Sequence, residues 1–362
     1  MARHRRGFLL TVAFVAAVYR PGGVWLAGAP GVPERLSNQE FWRLSASFSE
    51  LNGTFRSDNL LSNEGFLQYV IPELARVARP GRAYLGVGPE QNFTYIAAVK
   101  PSIAFIVDIR RGNLDLHLMY KALFELSSDR ADFVSRLFSR PRPEGLKSAS
   151  TAEDIFDAYA RAQPSEALYR ENLKAIERLL VEKHGFALPA DDLSGEGGIE
   201  YVYHAFFTFG PSIQYSSSGR FGGRYQPSYA DLMTATDGKG EARSFLSSDE
   251  RFAVLKDLES RNLIVPVVGN FAGPKAIRAV AAFLKERNAL VSAFYLSNVE
   301  QYLRMDGLWA DFCANAATLP VDETSLFIHS TRNPQSGFGR GTGSLGSELL
   351  PIAETVKTCT VQ

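Results

Sequence analysis

Cysteine is nearly absent from this chain: Cys313 and Cys359 are its two cysteines in 362 residues. No C-x-x-C or H-E-x-x-H spacing occurs, which excludes the common cysteine- and histidine-built metal and redox motifs. Histidine is scarce too, with five scattered residues that do not form a ligand set. Neither sign of charge is in excess. Lys+Arg and Asp+Glu both number 39, for a net charge of zero, and so the sequence lacks the basic footprint that nucleic acid requires. The N-terminal apolar run, Gly7–Tyr19, has 13 residues, too few to span a bilayer comfortably. No internal repeat stands out. What is there is 45% hydrophobic and 22% charged, enough to bury a large core. The length suggests about two domains, or one α/β domain with a large insertion.

Arg3, His4, Arg5 and Arg6 precede that apolar run, the basic-then-apolar order of a signal peptide. The stretch Arg5-Arg6-Gly7-Phe8-Leu9-Leu10 resembles a twin-arginine export signal. That resemblance implies a transporter that moves folded proteins, often with a cofactor bound. Ala27-Gly28-Ala29 has the small residues of a cleavage site, but Pro30 follows. Cleavage after Gly31 and an uncleaved anchor are both open. The expectation is an exported protein, periplasmic or secreted, which meets the membrane only through residues 1–31. A membrane-anchored protein, or a cytoplasmic one with a mis-called start, is the alternative. In an oxidising compartment Cys313 and Cys359 could pair.

The centre of the chain is residues 83–125. Ala83–Val87 is a short apolar run ending in Gly86-Val87-Gly88, and Pro89 suits the first position of a helix. That helix carries Phe93, Ile96, Ala97 and Val99 and stops at Lys100-Pro101. Ile103–Val107 reads as a second strand ending in Asp108, and another helix follows with Leu114, Leu118, Leu123 and Leu126. A strand that ends in a glycine turn at a helix N-terminus is a site for an anionic or nucleotide ligand. Asp108, 20 residues beyond Gly88, stands where an acid would hold a ribose. The dinucleotide pattern wants a further glycine where Gln91 stands. The alternative is a βαβ unit whose glycines only make a tight turn.

Residues 32–82 read as an N-terminal helical segment, with helices over Glu40–Leu51 and Gly65–Ala78, the second capped by Ser62 or Asn63. Between them lies a polar stretch. Asp58, Asn59, Asn63 and Glu64 either belong to a capped loop or lie over the glycine turn and hold a substrate. Residues 127–245 read as a helical and aromatic insertion, within which Tyr201–Phe209 is a strand or a buried helix. Strands then resume at Leu263–Val268, Ala289–Leu296 and Ser325–Ile328, with Pro266 favouring an edge or a bulge. Residues 333–362 read as a flexible Gly/Ser-rich tail. The fold class is therefore α/β: a Rossmann-like, doubly wound parallel sheet over 83–126 and 246–332, with a largely helical insertion between the second and third strands. Ligands of such sheets sit at the strand carboxyl ends. Polar residues gather there: Gly86 to Asn92 (with Glu90 and Gln91), Asp108 to Arg111 (with Arg110), Asn270, Ser297 to Glu300, and His329 to Arg332.

This order of parts resembles the class I S-adenosylmethionine-dependent methyltransferases. The resemblance covers about 83–126 and 263–330. It implies S-adenosylmethionine as cofactor, with its methionine part at Gly86 and Gly88, its ribose at Asp108 and its adenine at Asn270. Asn298 and nearby Glu300 would carry substrate or catalytic groups, and Glu300 or His329 would take a proton from a hydroxyl or amine acceptor. The chain departs from the family pattern at Leu85, Glu90 and Asn270. A narrower resemblance is to uncharacterised bacterial proteins with GVGPEQNF, FIVDIRRGN and YLSNVEQYL stretches, which lends no activity. The alternatives are a non-catalytic exported protein that binds a nucleotide, sugar or protein partner, and a nicotinamide-dependent oxidoreductase.

Overall fold

The computed structural model describes residues 31–216, 226–331 and 345–359. Its centre is a six-stranded sheet in the order β3-β2-β1-β4-β5-β6. The strands are β1 (Ala83–Gly86), β2 (Ile103–Asp108), β3 (Ile264–Val268), β4 (Val291–Ser297), β5 (Leu326–Thr331) and β6 (Gly346–Pro351). Every neighbouring pair is parallel except β5 and β6. All residues of β1, β2 and β3 are buried, as expected of parallel strands covered on both faces. This is why they read as unbroken apolar runs rather than alternating ones.

The two edges are protected differently. Pro266 sits on edge strand β3, where its missing N–H is tolerated. The end of helix α1 (Asn38–Phe48) covers that edge. Ser45 Oγ donates to Pro266 O at 2.6 Å, Val268 N–H donates to Ser49 Oγ at 2.9 Å, and Glu50 N–H donates to Val268 O at 2.8 Å. The opposite edge is β6, which lies inside the tail expected to be mobile. Residues 346–359 are instead strand and helix, and a disulfide joins Cys359, in the helix Ile352–Cys359, to Cys313 on the helix Trp309–Ala316. β6 reads Gly-Ser-Glu-Leu-Leu-Pro, with its last four residues part-exposed. A short strand with a charge and a proline hides from pattern reading for the reasons that suit it to an edge.

The helix expected over Gly65–Ala78 is divided into a 3-10 turn, Leu67–Val70, and α2 (Ile71–Val77). Neither start has a side-chain cap. Ser62 Oγ accepts from Glu64 N–H at 3.1 Å instead. After β1 comes α3 (Gln91–Val99), ended by Lys100 in the left-handed region at φ 50°, and after β2 comes α4 (Arg111–Leu126).

The insertion is helical, and Tyr201–Phe209 lies in a helix, Ile199–Phe209. Its aromatic rings share one core with the sheet's helices. Phe124 stacks on Phe133 at 4.6 Å, and Phe93 meets Tyr120, Phe124 and Phe245 edge-on. Among the described residues no helix is long and apolar enough to cross a membrane. Residues 1–30 of the export segment (1–31) and residues 333–344 and 360–362 of the tail (333–362) lie outside the described residues, as does Arg332 at the end of β5.

Candidate functional site

The turn after β1 is built by side chains behind it. Asn92 Nδ2 donates to the carbonyls of Val87, Gly88 and Pro89 at 3.0, 3.1 and 2.8 Å, while its Oδ1 accepts from Tyr84 at 2.9 Å. This arrangement accounts for the first glycine. A Cβ on Gly86 would lie 1.9 Å from Asn92 Oδ1. Gly88 has φ +75°, a conformation that L side chains rarely adopt. His117, on the face of α4 behind the turn, places Nε2 2.9 Å from Gly88 O. Burial lowers its pKa to about 4, so the ring is neutral.

In front of the turn is a cavity of about 190 Å³ at the carboxyl ends of β1, β2, β3 and β4. That is room for roughly a dozen water-sized spheres. Gly88, Gln91, Asp108, Arg110, Asn270 and Asn298 line it, and so do Asn59 and Asn63 of the polar stretch. The structure thus brings together most of the residues expected at the cofactor. Gly86, Glu90 and Asn92 are not in the wall. Asn92 holds the turn, and buried Glu90 accepts the Ser62 N–H at 3.2 and 3.3 Å on its two oxygens. Burial pushes the Glu90 carboxyl up to about 8.

Asp108 is 4% exposed and makes its own turn. Oδ1 accepts from Arg110 N–H at 2.9 Å, and the Arg110 guanidinium lies across both oxygens while also donating to the Asp58 carbonyl. Asp58 therefore meets the site through its backbone, and its side chain faces Tyr201 at 3.4 Å. The Asn270 carboxamide closes a local turn by accepting from Ala272 N–H at 2.9 Å, and Glu50 takes the N–H groups of Asn270, Lys275 and Ala276. Residues 50–63 run over the cavity as a cover. Gly53 N–H donates to Ile109 O at 2.8 Å and Leu60 N–H to Tyr215 O at 2.9 Å. Phe55 packs edge-on to Tyr302 at 5.2 Å, on the far wall.

Glu64 does not face the cavity. It is fully buried behind the wall, and its carboxylate takes hydroxyls from Tyr295 (2.5 Å), Ser297 (2.9 Å), Ser330 and Ser347 (2.9 Å). Burial raises its pKa against the pull of those hydroxyls. Glu300 and His329 also lie off the wall. They pair with each other at 3.4 Å, Glu300 binds Arg304 at 2.9 Å, and Glu348 of β6 approaches His329 at 3.8 Å. The hydrogen bond with His329 is the first cause of the lowered Glu300 pKa. Two wall residues have positive φ without being glycine, Asn59 at 45° and Ser297 at 50°. Such strain is concentrated at functional sites.

A family model matches residues 60–185 and 223–345. The chain belongs to this family, which is described as a domain of unknown function, DUF7790. No curated protein matches the chain. The family's two matched segments take in β1 to β5, the turn and most of the cavity wall, but only Leu60 to Asn63 of the cover.

Sequence reasoning missed His117, Tyr215, Tyr295 and Tyr302. A signal existed for the first. Asn113, His117 and Lys121 recur every four residues along a helix that is otherwise core. Periodicity reads such a stripe as a solvent face, whereas here all three are buried.

Proposed function

We propose that the chain is a Rossmann-like protein that binds S-adenosylmethionine, or a close adenosyl relative, in this cavity, and that it is a methyltransferase-like protein of unknown acceptor. The observation that carries this reading is the place of the cavity. It opens where strand order reverses, with β2 and β3 on one side of β1 and β4 and β5 on the other. Ligands of open α/β sheets bind at that switch point. Gly88 from the β1 turn and Asp108 from the end of β2 meet there, as a sugar bound beside the turn would require.

Methyl transfer from a sulfonium asks mostly for proximity and exclusion of water, and the aromatic cover suits that. Glu300 lies directly after Val299 of the wall. The Glu300–His329 pair serves as proton acceptor only for a substrate that reaches past Asn298. The nicotinamide reading has less support. Gln91 stands at the further glycine position, and the buried Glu90 carboxyl sits at the α3 N-terminus, where a pyrophosphate would otherwise lie.

A second reading is favoured by the Cys313–Cys359 disulfide. Disulfides persist in oxidising compartments, and S-adenosylmethionine is a cytosolic metabolite. Together with the N-terminal export pattern, the disulfide supports an exported, non-catalytic binding protein with the same cavity.

Calorimetry with S-adenosylhomocysteine tests the first reading. Asp108→Asn keeps an oxygen for the Arg110 N–H but removes the charge, and it should weaken binding by about 5- to 15-fold, from the roughly 1–1.5 kcal/mol that separates a charged from a neutral hydrogen bond. Asp108→Ala should lose the turn as well. No measurable affinity of the wild type at millimolar concentration would defeat the adenosyl reading.

A further inference from the structure

We propose that residues 51–59 are a flap, shut in this structure, which lifts to admit the cavity's occupant and then latches over it on Tyr302. The proposal deepens the adenosyl reading and rests on it only for the name of the occupant.

The deep end of the cavity calls for such a movement. Gln91 and Asp108 line it and are 2% and 4% exposed, and Gly88 and Val107 of the same wall are buried. At the other end, by the helix Val299–Met305, Asn298 and Tyr302 are half-buried and Asp306 is exposed. Thr54, Phe55 and Asn59 of the cover also line the cavity. A ligand the size of a nucleoside needs these residues out of its way to reach Gly88 and Asp108.

The cover is fixed at its two ends and loose between them. At the first end the Glu50 carboxylate accepts the N–H groups of Asn270, Lys275 and Ala276 at 3.0, 2.8 and 2.9 Å. At the second, Leu60 and Leu61 are 1% and 0% exposed. Residues 51–59 form no helix or strand, and Leu51, Asn52, Thr54 and Arg56 are exposed. A segment with few buried apolar groups opens at low cost. Each end also has a pivot. Asn59 has φ 45°. Gly53 fits because it has no side chain: a Cβ there would lie 2.2 Å from Ile109 Cγ1 and 3.1 Å from Ile109 O. That crowding exists only while the flap is down. Asn52, Gly53 and Asp58 hold the shut flap by hydrogen bonds to Arg111, Ile109 and Arg110. The latch is on the opposite wall. Phe55 meets the Tyr302 ring edge-on at 5.2 Å, and Arg56 Nη2 donates to Tyr302 Oη at 2.8 Å with its guanidinium 5.5 Å from the ring centroid. A cation over an exposed ring is held only weakly, as a latch that must release requires.

The test measures access to the deep wall in the full chain without any ligand. Cys313 and Cys359 are bonded to each other, so Val87→Cys, a swap of similar size at a wall position 7% exposed, supplies a single thiol. N-ethylmaleimide should label it much more slowly than in the urea-unfolded chain. Adding Tyr302→Ala, which removes the latch, or Gly53→Ala, which props the flap up, should quicken labelling by about tenfold. Tyr302→Phe keeps the ring and loses the hydroxyl, and it should give a smaller rise, as should Arg56→Ala. Arg56 is exposed, so its removal leaves the fold intact and keeps the test sound if Tyr302→Ala does not fold. Labelling at the unfolded rate before any latch is broken, or a rate indifferent to the Gly53, Arg56 and Tyr302 variants, would overturn the flap whether or not S-adenosylhomocysteine binds. Latch variants that quicken labelling, with no protection of the thiol by millimolar S-adenosylhomocysteine, would sink the adenosyl reading and leave the flap standing.

Discussion

Two polar clusters sit at the same end of the sheet, and they differ in what they leave over. Around Glu64 nothing is left over. Tyr295, Ser297 and Ser330 converge on Oε1, Ser347 serves Oε2, and Ser347 is itself 2.8 Å from Tyr95 Oη. This ties the segment after the cover to β4, β5 and β6. Around Gln91 the backbone is served first and lone pairs remain on Gln91, Asn59 and His117. The complete set is a clasp; the incomplete one lies in and just behind the cavity wall, on what is here the receptor side. Tyr295 and Ser297 belong to both, because they line the cavity while their hydroxyls point back at Glu64. Glu64, expected from the sequence to hold substrate, is the clasp.

Breaking the clasp should have the largest effect. Glu64→Ala strands four hydroxyls in a dry environment and should cost about 3–5 kcal/mol, at 1–3 kcal/mol per group only partly realised as the site relaxes. Urea unfolding measures it. Gln91→Leu, on the receptor side, should change stability by less than about 1 kcal/mol, because the Nε2 bond it loses is long, at 3.3 Å, and made to a carbonyl that Asn92 also serves, while the unpartnered Oε1 is removed with it. Equal losses from the two substitutions would erase the distinction between clasp and receptor.

The disulfide adds a covalent tie on the clasp side. Its sequence separation is 46 residues and its Cα–Cα distance 5.9 Å. Loop-closure entropy gives about 4 kcal/mol at most. Cys313→Ser with Cys359→Ser should therefore lower the urea midpoint by up to that amount while leaving cavity binding within twofold. Thiol titration of the unfolded, unreduced chain should find no free thiol. Two reactive thiols there would remove the tie.

The receptor side was the more legible of the two in the sequence. β1, the glycine turn, β2 and Asp108 could be read because a buried parallel strand followed by a helix leaves a local pattern. Pro266 announced an edge for the same kind of reason. The clasp side left no such pattern. Its carboxylate comes from residue 64 and its hydroxyls from residues 295, 297, 330 and 347, partners set by the topology and not by any spacing. β6 was invisible because six residues with a glycine, a glutamate and a proline look like a tail until an antiparallel neighbour is supplied. Glu300 and His329 were drawn to the site by their position at strand ends. That position is correct, but β5 lies one strand beyond β4 from the switch point, and Glu300, just past Val299 of the wall, is paired with His329 and Arg304.

The smallest effect expected is one of pH. Glu90 joins the two regions, for its carboxyl takes the Ser62 N–H at the end of the cover from a place beside the turn. Burial raises its pKa from 4.5 to about 8, with the nearby Glu64 adding to the rise and the Ser62 N–H opposing it. The folded state thus holds this proton more tightly than the unfolded chain does. The associated stability is fully present below the unfolded value near 4.5, and it is lost progressively as pH rises towards and through about 8. The largest slope one group can give is about 1.4 kcal/mol per pH unit. Buried Glu259, also raised to about 8 by burial, acts in the same direction. Thermal midpoints should therefore fall between pH 5 and pH 8. Glu90→Gln keeps a carbonyl oxygen for the Ser62 N–H but cannot ionise, so it should flatten that fall in part, with the remainder due to Glu259 and the other raised carboxyls. A Glu90→Gln profile parallel to the wild type would mean that Glu90 is already ionised at pH 5, and that the cover is anchored by a charge instead of a neutral acid.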